Sequence, residues 1–210
     1  MKIKEKHIQI ILVIAVIVMT ILRFLLNEKG RVSPDSIRFI RFAHVFPVID
    51  NTITPTGYPL AIKLITFFGS DEFWSSKILG ILCLSGIIVF AKWKNFFLRE
   101  VLMTCCLFSF VSVFAATLSE ALMLLFIFIL LFICRNITEK KYGFKTSVIY
   151  LSLILIVLYN IRYTALFFMI GTGFFRYNEL EKIIWKSHDC IVAYFRSFCD
   201  SISDFLYQLF

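Results

Sequence analysis

The stretch Arg31-Val-Ser-Pro-Asp-Ser-Ile-Arg-Phe-Ile-Arg41 lies between two long apolar segments and combines charged, aromatic and turn-forming residues. Within it, Ser33 followed by Pro34 is the pattern of a helix N-cap with proline at the first helical position. This pattern predicts a short helix to about Phe46, with one apolar face, lying in the membrane interface. Asp35, in the first turn of that helix, is the first candidate functional residue.

A second motif, Thr54-Pro-Thr-Gly-Tyr-Pro59, predicts a turn because it contains two prolines and a glycine. The apolar run that follows it, Leu60–Phe68, is too short to cross a bilayer. It predicts a second helix, interfacial or re-entrant, that ends at Gly69. Ser70 is the predicted N-cap of the longer helix that comes next.

Outside these two motifs the chain is strongly apolar: 60% of its 210 residues are hydrophobic and 17% are aromatic. This exceeds the apolar share of soluble domains and predicts an all-α, polytopic transmembrane helical bundle. The net charge of +8 comes from basic residues at the ends of apolar runs. That distribution indicates topology signals and contacts with anionic lipid head groups, not nucleic acid. The six cysteines form no C-x-x-C pair, which predicts neither a disulfide framework nor a zinc site.

The apolar runs predict about six spans, of which the last two are short. Most of the basic residues fall on one side of these spans, so the positive-inside rule predicts that both termini are cytoplasmic. The two interfacial helices then lie in the first extracytoplasmic loop. The six predicted spans are Ile8–Leu26, Phe73–Ala91, Val101–Ala116, Leu118–Cys134, Ser147–Ile161 and Tyr163–Phe175.

The C-terminal segment has a different pattern. Between Ile184 and Leu209, apolar residues recur at spacings of three, four and seven, with charged residues elsewhere around the helix. This predicts an amphipathic helix at the cytoplasmic surface, which could dock a protein partner, and not another span. The predicted organisation is a transmembrane module over residues 1–177 and a tail helix over 178–210.

The order of the motifs resembles a known family. The order is similar to that in the N-terminal part of the polytopic GT-C class of glycosyltransferases. A first span is followed by Ser33-Pro-Asp-Ser36, Thr56-Gly-Tyr-Pro59, Ser119-Glu120 and Asn160-Ile-Arg162. This class includes protein mannosyltransferases and the aminoarabinose transferases of lipid A. The resemblance covers roughly residues 8–175 and implies transfer of a sugar from a polyprenyl-phosphate donor to an extracytoplasmic glycan, lipid or protein.

The resemblance implies roles for particular side chains. Asp35 would be the catalytic carboxylate that deprotonates or positions the acceptor hydroxyl. Arginines would hold the donor phosphate, because a guanidinium fork matches phosphate oxygens. No cofactor is expected, although Asp50 and His44 leave open a divalent-metal site with Asp35. The predicted substrate-binding residues are Arg38, Arg41, Asp50, Tyr58, Glu120 and Arg162.

Structural explanations stand beside these roles. Asp35 suits the first turn of any capped helix, because the helix dipole favours an anion there. Glu120 follows Thr117 at capping-box spacing, and Arg162 ends a span, where arginine can snorkel to the interface. Two further functions stay open. One is a non-catalytic or split-enzyme subunit of the same class, since the chain is short for that class. The other is a transporter or lipid flippase, which the lack of charged residues near the middle of the spans disfavours. The predicted location is the bacterial cytoplasmic membrane.

Overall fold

The computed structural model describes residues 5–26, 33–48 and 54–184. These residues fold into helices and connecting turns, without strands, so the all-α prediction is confirmed for the described part of the chain. In order, the helices are α1 (Glu5–Leu26), α2 (Pro34–Val45), α3 (Gly57–Thr66), α4 (Glu72–Lys94), α5 (Leu98–Cys105), α6 (Phe108–Ala115), α7 (Ser119–Thr138), α8 (Phe144–Ile161) and α9 (Ala165–Ile184).

Four of these helices, α1, α4, α7 and α8, are long and apolar enough to cross a membrane. The chain is therefore an integral membrane protein built as a helical bundle. The prediction of about six spans was too high for the described residues. They contain four helices that are long and apolar enough to span, or five such units if the bent pair of α5 and α6 counts as one.

The predicted third span, Val101–Ala116, is broken. Helices α5 and α6 meet at an angle of 81°, so together they form a broken span or a re-entrant loop. Neither proline nor glycine marks this bend. Side-chain hydroxyls bond the backbone on both sides of it, from Thr104 Oγ1 to the Glu100 carbonyl at 2.9 Å and from Ser112 Oγ to the Ser109 carbonyl at 2.6 Å. Such bonds favour bending of helices, and an apolar run does not reveal them.

The predicted sixth span, Tyr163–Phe175, is also wrong in extent. The apolar part of α9 is Ala165–Phe174, which is too short to span, and the helix continues to Ile184. The chain divides into two units between Leu166 and Phe167. Residues 185–210 lie outside the described residues, and the predicted tail helix and most of the 178–210 segment lie there.

The helix starts confirm the predicted cap of α2 and correct both the predicted cap of α4 and the predicted start of α3. Ser33 caps α2, since its hydroxyl accepts a hydrogen bond from the Ser36 N–H at 3.1 Å. Asp71, not Ser70, caps α4, with Oδ1 accepting from the Trp74 N–H at 2.8 Å. Helix α3 begins at Gly57 and not after Pro59. Proline is tolerated in a first turn, where its missing N–H would have no helical partner.

Two close backbone approaches decide how the helices of the first unit meet. A Cβ built on Gly80 of α4 would lie 1.9 Å from the carbonyl oxygen of Phe114, at the end of α6. A Cβ on Gly57, at the start of α3, would lie 2.7 Å from the carbonyl oxygen of Asn160, at the end of α8. Only glycine permits both approaches. The first joins α4 to the end of α6, and the second joins the start of α3 to the end of α8, at one end of the bundle.

A polar connection at the same end fixes the start of α7. The segment before α7 forms three hydrogen bonds of 2.8 Å with side chains of α2 and α4. Lys77 Nζ donates to the Ala115 carbonyl, Ser36 Oγ donates to the Thr117 carbonyl, and Ser76 Oγ pairs with Thr117 Oγ1. These side chains are buried. Buried polar groups are costly unless they are paired, so this junction specifies where α2 and α4 meet the beginning of α7.

Candidate functional site

A partly open pocket of about 250 Å³ lies where these helix ends meet. Its wall comes from α2, the segment before α3, the start of α7 and the turn between α8 and α9, all within the first unit. The lining residues are Asp35, Arg38, Phe39, Thr54, Pro55, Leu118, Ser119, Glu120, Ile161, Arg162, Tyr163 and Thr164. Residues more than 120 positions apart in sequence, such as Asp35 and Arg162, therefore share one pocket.

Four of the predicted site residues line this pocket: Asp35, Arg38, Glu120 and Arg162. Arg41 and Tyr58 are not among its lining residues. Arg41 is exposed on α2 and is not a lining residue. Tyr58 is only 1% exposed and packs edge-on against the lining residue Phe39, with 5.0 Å between ring centroids. Asp50 lies outside the described residues.

The charges of the pocket occur in two pairs. Arg38 Nη1 lies 3.9 Å from Asp35 Oδ1, one turn away on α2, and both side chains are about two-thirds exposed. Arg162 Nη1 forms an ion pair with Glu120 Oε1, and each of these side chains is about one-third exposed. The lining residues thus contribute two carboxylates and two guanidinium groups, with no net charge.

Each carboxylate stands in the first turn of a helix. Asp35 follows the Ser33 cap by two positions, and Glu120 is in the first turn of α7. Unpaired N–H groups and the helix dipole favour negative charge at both places. The suggested capping box between Thr117 and Glu120 was wrong. Leu118 occupies the N-cap position without a side-chain bond, and the Thr117 hydroxyl is paired with Ser76.

Arg162 reaches the pocket because α8 ends there. It is the C-cap residue of α8, with an extended backbone at φ −158° and ψ 133°, and its N–H donates to the Leu158 carbonyl at 3.0 Å. The extended conformation turns the chain out of the helix. Arg162 therefore does not simply snorkel from the end of a span; its guanidinium group meets the carboxylate of Glu120.

Two tyrosines keep their protons: Tyr163, which lines the pocket, and Tyr58, which packs behind the lining residue Phe39. Burial raises the pKa of the Tyr58 hydroxyl above its usual range, and the nearby Cys83 and Glu120 add to the effect. Burial, followed by the neighbouring Tyr159, raises the pKa of Tyr163 as well. Both phenols can donate a hydrogen bond but are poor bases. Among the lining residues, Asp35 and Glu120 are the side chains suited to accept a proton.

The suggested metal site does not assemble among the described residues. His44 Nδ1 forms a hydrogen bond of 2.9 Å with Glu72 Oε1 and ties α2 to the start of α4. Within residues 5–26, 33–48 and 54–184, His, Cys, Asp and Glu nowhere come together in a group of three that could hold a metal ion. Asp50, the third suggested ligand, lies outside these ranges, so the metal question stays a prediction.

Lys77 is a residue whose importance the sequence analysis missed. It is 5% exposed, its Nζ donates to the Ala115 carbonyl, and it lies 5.0 Å from the centre of the Phe73 ring. It does not line the pocket, but it holds the segment from which α7 and Glu120 begin. A lysine within the second turn of an apolar span was the available signal, because ionisable residues are rarely placed inside spans without a partner.

Comparison of the chain with protein-family models, with curated proteins and with solved structures found no match. The resemblance to the GT-C class therefore rests on short motifs and their order along the chain. We therefore infer the function from the pocket, from the chemistry of its lining residues and from its setting in an apolar helical bundle.

Proposed function

We propose that this chain is an integral membrane glycosyltransferase that moves a sugar from a polyprenyl-phosphate donor to an extracytoplasmic glycan, lipid or protein. The observation that carries the proposal is the pocket that gathers Asp35, Arg38, Glu120 and Arg162. A lipid-phosphate donor needs an anion site at the edge of the bilayer, and its acceptor needs a base beside that site. Carboxylates and guanidinium groups in one pocket supply both kinds of group.

The proposed reaction uses these groups as follows. The Asp35 carboxylate takes the proton of the acceptor hydroxyl, whose oxygen attacks the anomeric carbon of the donor sugar. The bond between that carbon and the phosphate oxygen breaks, and polyprenyl phosphate leaves with the electron pair. Arg162 and Arg38 stabilise the charge on the departing phosphate. Arg41, which is outside the pocket lining, is better suited to contact with lipid head groups.

The proposed topology puts the pocket on the extracytoplasmic side of a bacterial cytoplasmic membrane, with the N-terminus inside. It is supported by the basic residues at the opposite ends of α4, α7 and α8, since such residues favour the cytoplasmic side. The exposed apolar side chains of α3 and the turn after it, among them Leu64, Phe67 and Phe68, are suited to contact with lipid next to the pocket.

A second candidate is a non-catalytic subunit of the same class that acts with a partner. One observation favours it: both guanidinium groups in the pocket already face carboxylates. Such pairs could be purely structural. In that case the pocket would support assembly with another protein, and the partner would supply the reacting groups.

Asp35→Asn tests the proposal, because it keeps the shape of the side chain and removes the base. The assay is incorporation of labelled sugar into the lipid or glycan pool of membranes that contain the full chain. Asp71→Asn is the matched control, since Asp71 caps α4 near the same end without lining the pocket, and asparagine caps about as well as aspartate. We expect Asp35→Asn to lower transfer at least about a hundredfold, as loss of a general base does. Asp71→Asn should leave it nearly unchanged.

The two candidates give different results in this assay. Wild-type transfer by Asp35→Asn would remove Asp35 from the mechanism. Absence of transfer by the wild-type chain, with its native partners supplied, would favour the non-catalytic subunit.

A further inference from the structure

Arg162, to which the proposed function assigns the donor phosphate, is paired with Glu120 in this structure. Arg162 presents a guanidinium nitrogen to the pocket, and Glu120 Oε1 already accepts from it. A carboxylate and a phosphate compete for the same guanidinium fork, because each can accept two parallel hydrogen bonds from it. A phosphate cannot take this fork in full while Glu120 holds it.

Arg38, the other cation of the pocket, also lies beside a carboxylate. Arg38 lies 3.9 Å from Asp35, on the same helix, with both side chains largely exposed. An exposed pair at this distance is weak and easily rearranged by solvent. The pair of Glu120 and Arg162 is less exposed, and it joins the start of α7 to the end of α8. It is the stronger of the two obstacles to an entering anion.

We propose that Glu120 is an internal competitor for the donor phosphate: it pairs with Arg162 and is displaced when a polyprenyl phosphate binds. This inference rests on the proposed function for the identity of the anion. Displacement frees the Glu120 carboxylate inside the pocket as the phosphate takes its place on Arg162. Glu120 thereby lowers the affinity for the lipid phosphate and favours release of that product after transfer.

The test is the affinity of the purified full chain in lipid nanodiscs for a polyprenyl phosphate without sugar. Glu120→Gln keeps the size of the side chain and removes its charge. We expect the polyprenyl phosphate to bind about tenfold more tightly to this variant, which is the scale of one charge-assisted hydrogen bond. Glu120→Ala should tighten binding in the same direction, and it provides the result if the glutamine variant fails to insert.

Two controls separate this effect from general changes. Glu139→Gln removes a carboxylate that also pairs with an arginine, Arg135, at 2.6 Å but does not line the pocket. It should leave the affinity unchanged. The corresponding polyprenol, which lacks the phosphate, should bind wild type and Glu120→Gln equally. Tighter binding by Glu139→Gln to the same degree, or tighter binding of the polyprenol, would overturn the proposal.

The outcomes distinguish this inference from the proposed function. If wild type binds the phosphate and removal of Glu120 leaves binding equal or weaker, the competitor role is wrong while the transferase proposal stands. If binding tightens but no sugar transfer is found, the competitor role stands and the transferase proposal fails. If neither wild type nor the Glu120 variants bind the phosphate, both are wrong.

Discussion

The two ends of the helical bundle differ in how their charges are arranged. At the pocket end, two carboxylates and two arginines offset one another. At the other end, where α4 and α7 finish and α8 begins, basic residues predominate over Glu100 and Glu139. The basic residues there are Lys92, Lys94, Arg99, Arg135, Lys140, Lys141 and Lys145. At the pocket end, opposite charges can pair within the protein. At the other end, most of the positive charges need a partner from outside the protein.

Among the described residues at the basic end, Glu139 is the one carboxylate that pairs with basic side chains. Glu139 accepts from Arg135 at 2.6 Å and pairs with Lys141 at 2.5 Å. The guanidinium group of Arg135 also lies 5.5 Å from the ring centres of Phe96 and Phe97. The exposed Lys92, Arg99, Lys140 and Lys145 take part in no ion pair within the described ranges. Their charges are suited to anionic lipid head groups.

The largest effect is expected where the pocket end is packed most closely. Gly80→Ala puts a Cβ into the space of the Phe114 carbonyl oxygen, so α4 and α6 must move apart. We expect a loss of about 1–3 kcal/mol or more in the free energy of unfolding, as for an overpacked core. Thermal unfolding in detergent measures it.

Gly86→Ala is the control on the same helix. Its Cβ would meet a Leu125 methyl group at 3.4 Å, which is ordinary contact. Alanine is the better helix former by about 0.8–1 kcal/mol, so this variant should be neutral or slightly stabilised. Equal destabilisation by both variants would show that close packing is not special to the pocket end.

Lys77→Met should come next in size. It keeps the length of the side chain but leaves the buried Ala115 carbonyl without this donor. A hydrogen bond from a charged group contributes about 1.5–3 kcal/mol, and the segment that orients Glu120 is loosened when this bond is lost. We expect a lower unfolding temperature together with weaker lipid-phosphate binding. Lys92→Met, an exposed lysine at the other end of the same helix, should change neither quantity measurably.

Removing charge at the basic end should change the preference for lipid. Each basic residue near an anionic surface contributes about 1 kcal/mol, so the double variant Lys92→Gln/Lys145→Gln should bind anionic lipid about tenfold or more weakly. Native mass spectrometry of the chain with anionic and zwitterionic lipids measures this ratio. Arg41→Gln/Lys63→Gln removes the same charge at the pocket end and should have a smaller effect. Equal effects of the two double variants would show that the two ends do not differ in their binding of anionic lipid.

The smallest expected effect is a pH dependence at Glu139. Hydrogen bonds from Lys141 and Arg135 hold the pKa of this carboxyl below its ordinary value of 4.5. A lowered folded-state pKa adds stability above the unfolded-state value, and that stability is lost as the pH falls through the folded-state pKa. Unfolding temperatures should therefore fall less for Glu139→Gln than for wild type as the pH drops below about 4.5. Parallel curves would mean that the carboxyl is not stabilised by its neighbours.

The sequence predicted well those features that depend on local patterns. Long apolar runs with basic ends identified α1, α4, α7 and α8, and Ser33 before Pro34 identified the start of α2. The bend between α5 and α6 was not predictable from hydropathy, because the run is apolar on both sides and lacks proline and glycine. Pro59 suggested a turn although it fits a first helical turn.

The sequence pointed to single residues of the candidate site but not to the contacts between them. Charged residues beside apolar runs drew attention to Asp35, Glu120 and Arg162, and these do share a pocket. That Glu120 faces Arg162 depends on how α7 packs against α8, which no local pattern encodes. The same holds for Lys77, whose partner is a backbone carbonyl 38 positions away.

The most direct test of the central claim is where a donor analogue binds. A polyprenyl-phosphate sugar with a photoreactive group near the phosphate is irradiated with the full chain in nanodiscs, and adducts are mapped by mass spectrometry. We expect adducts in residues 33–41, 54–58, 118–124 and 158–164, and their loss when excess polyprenyl phosphate competes. Adducts confined to residues 92–99 and 135–145, at the basic end, would contradict it.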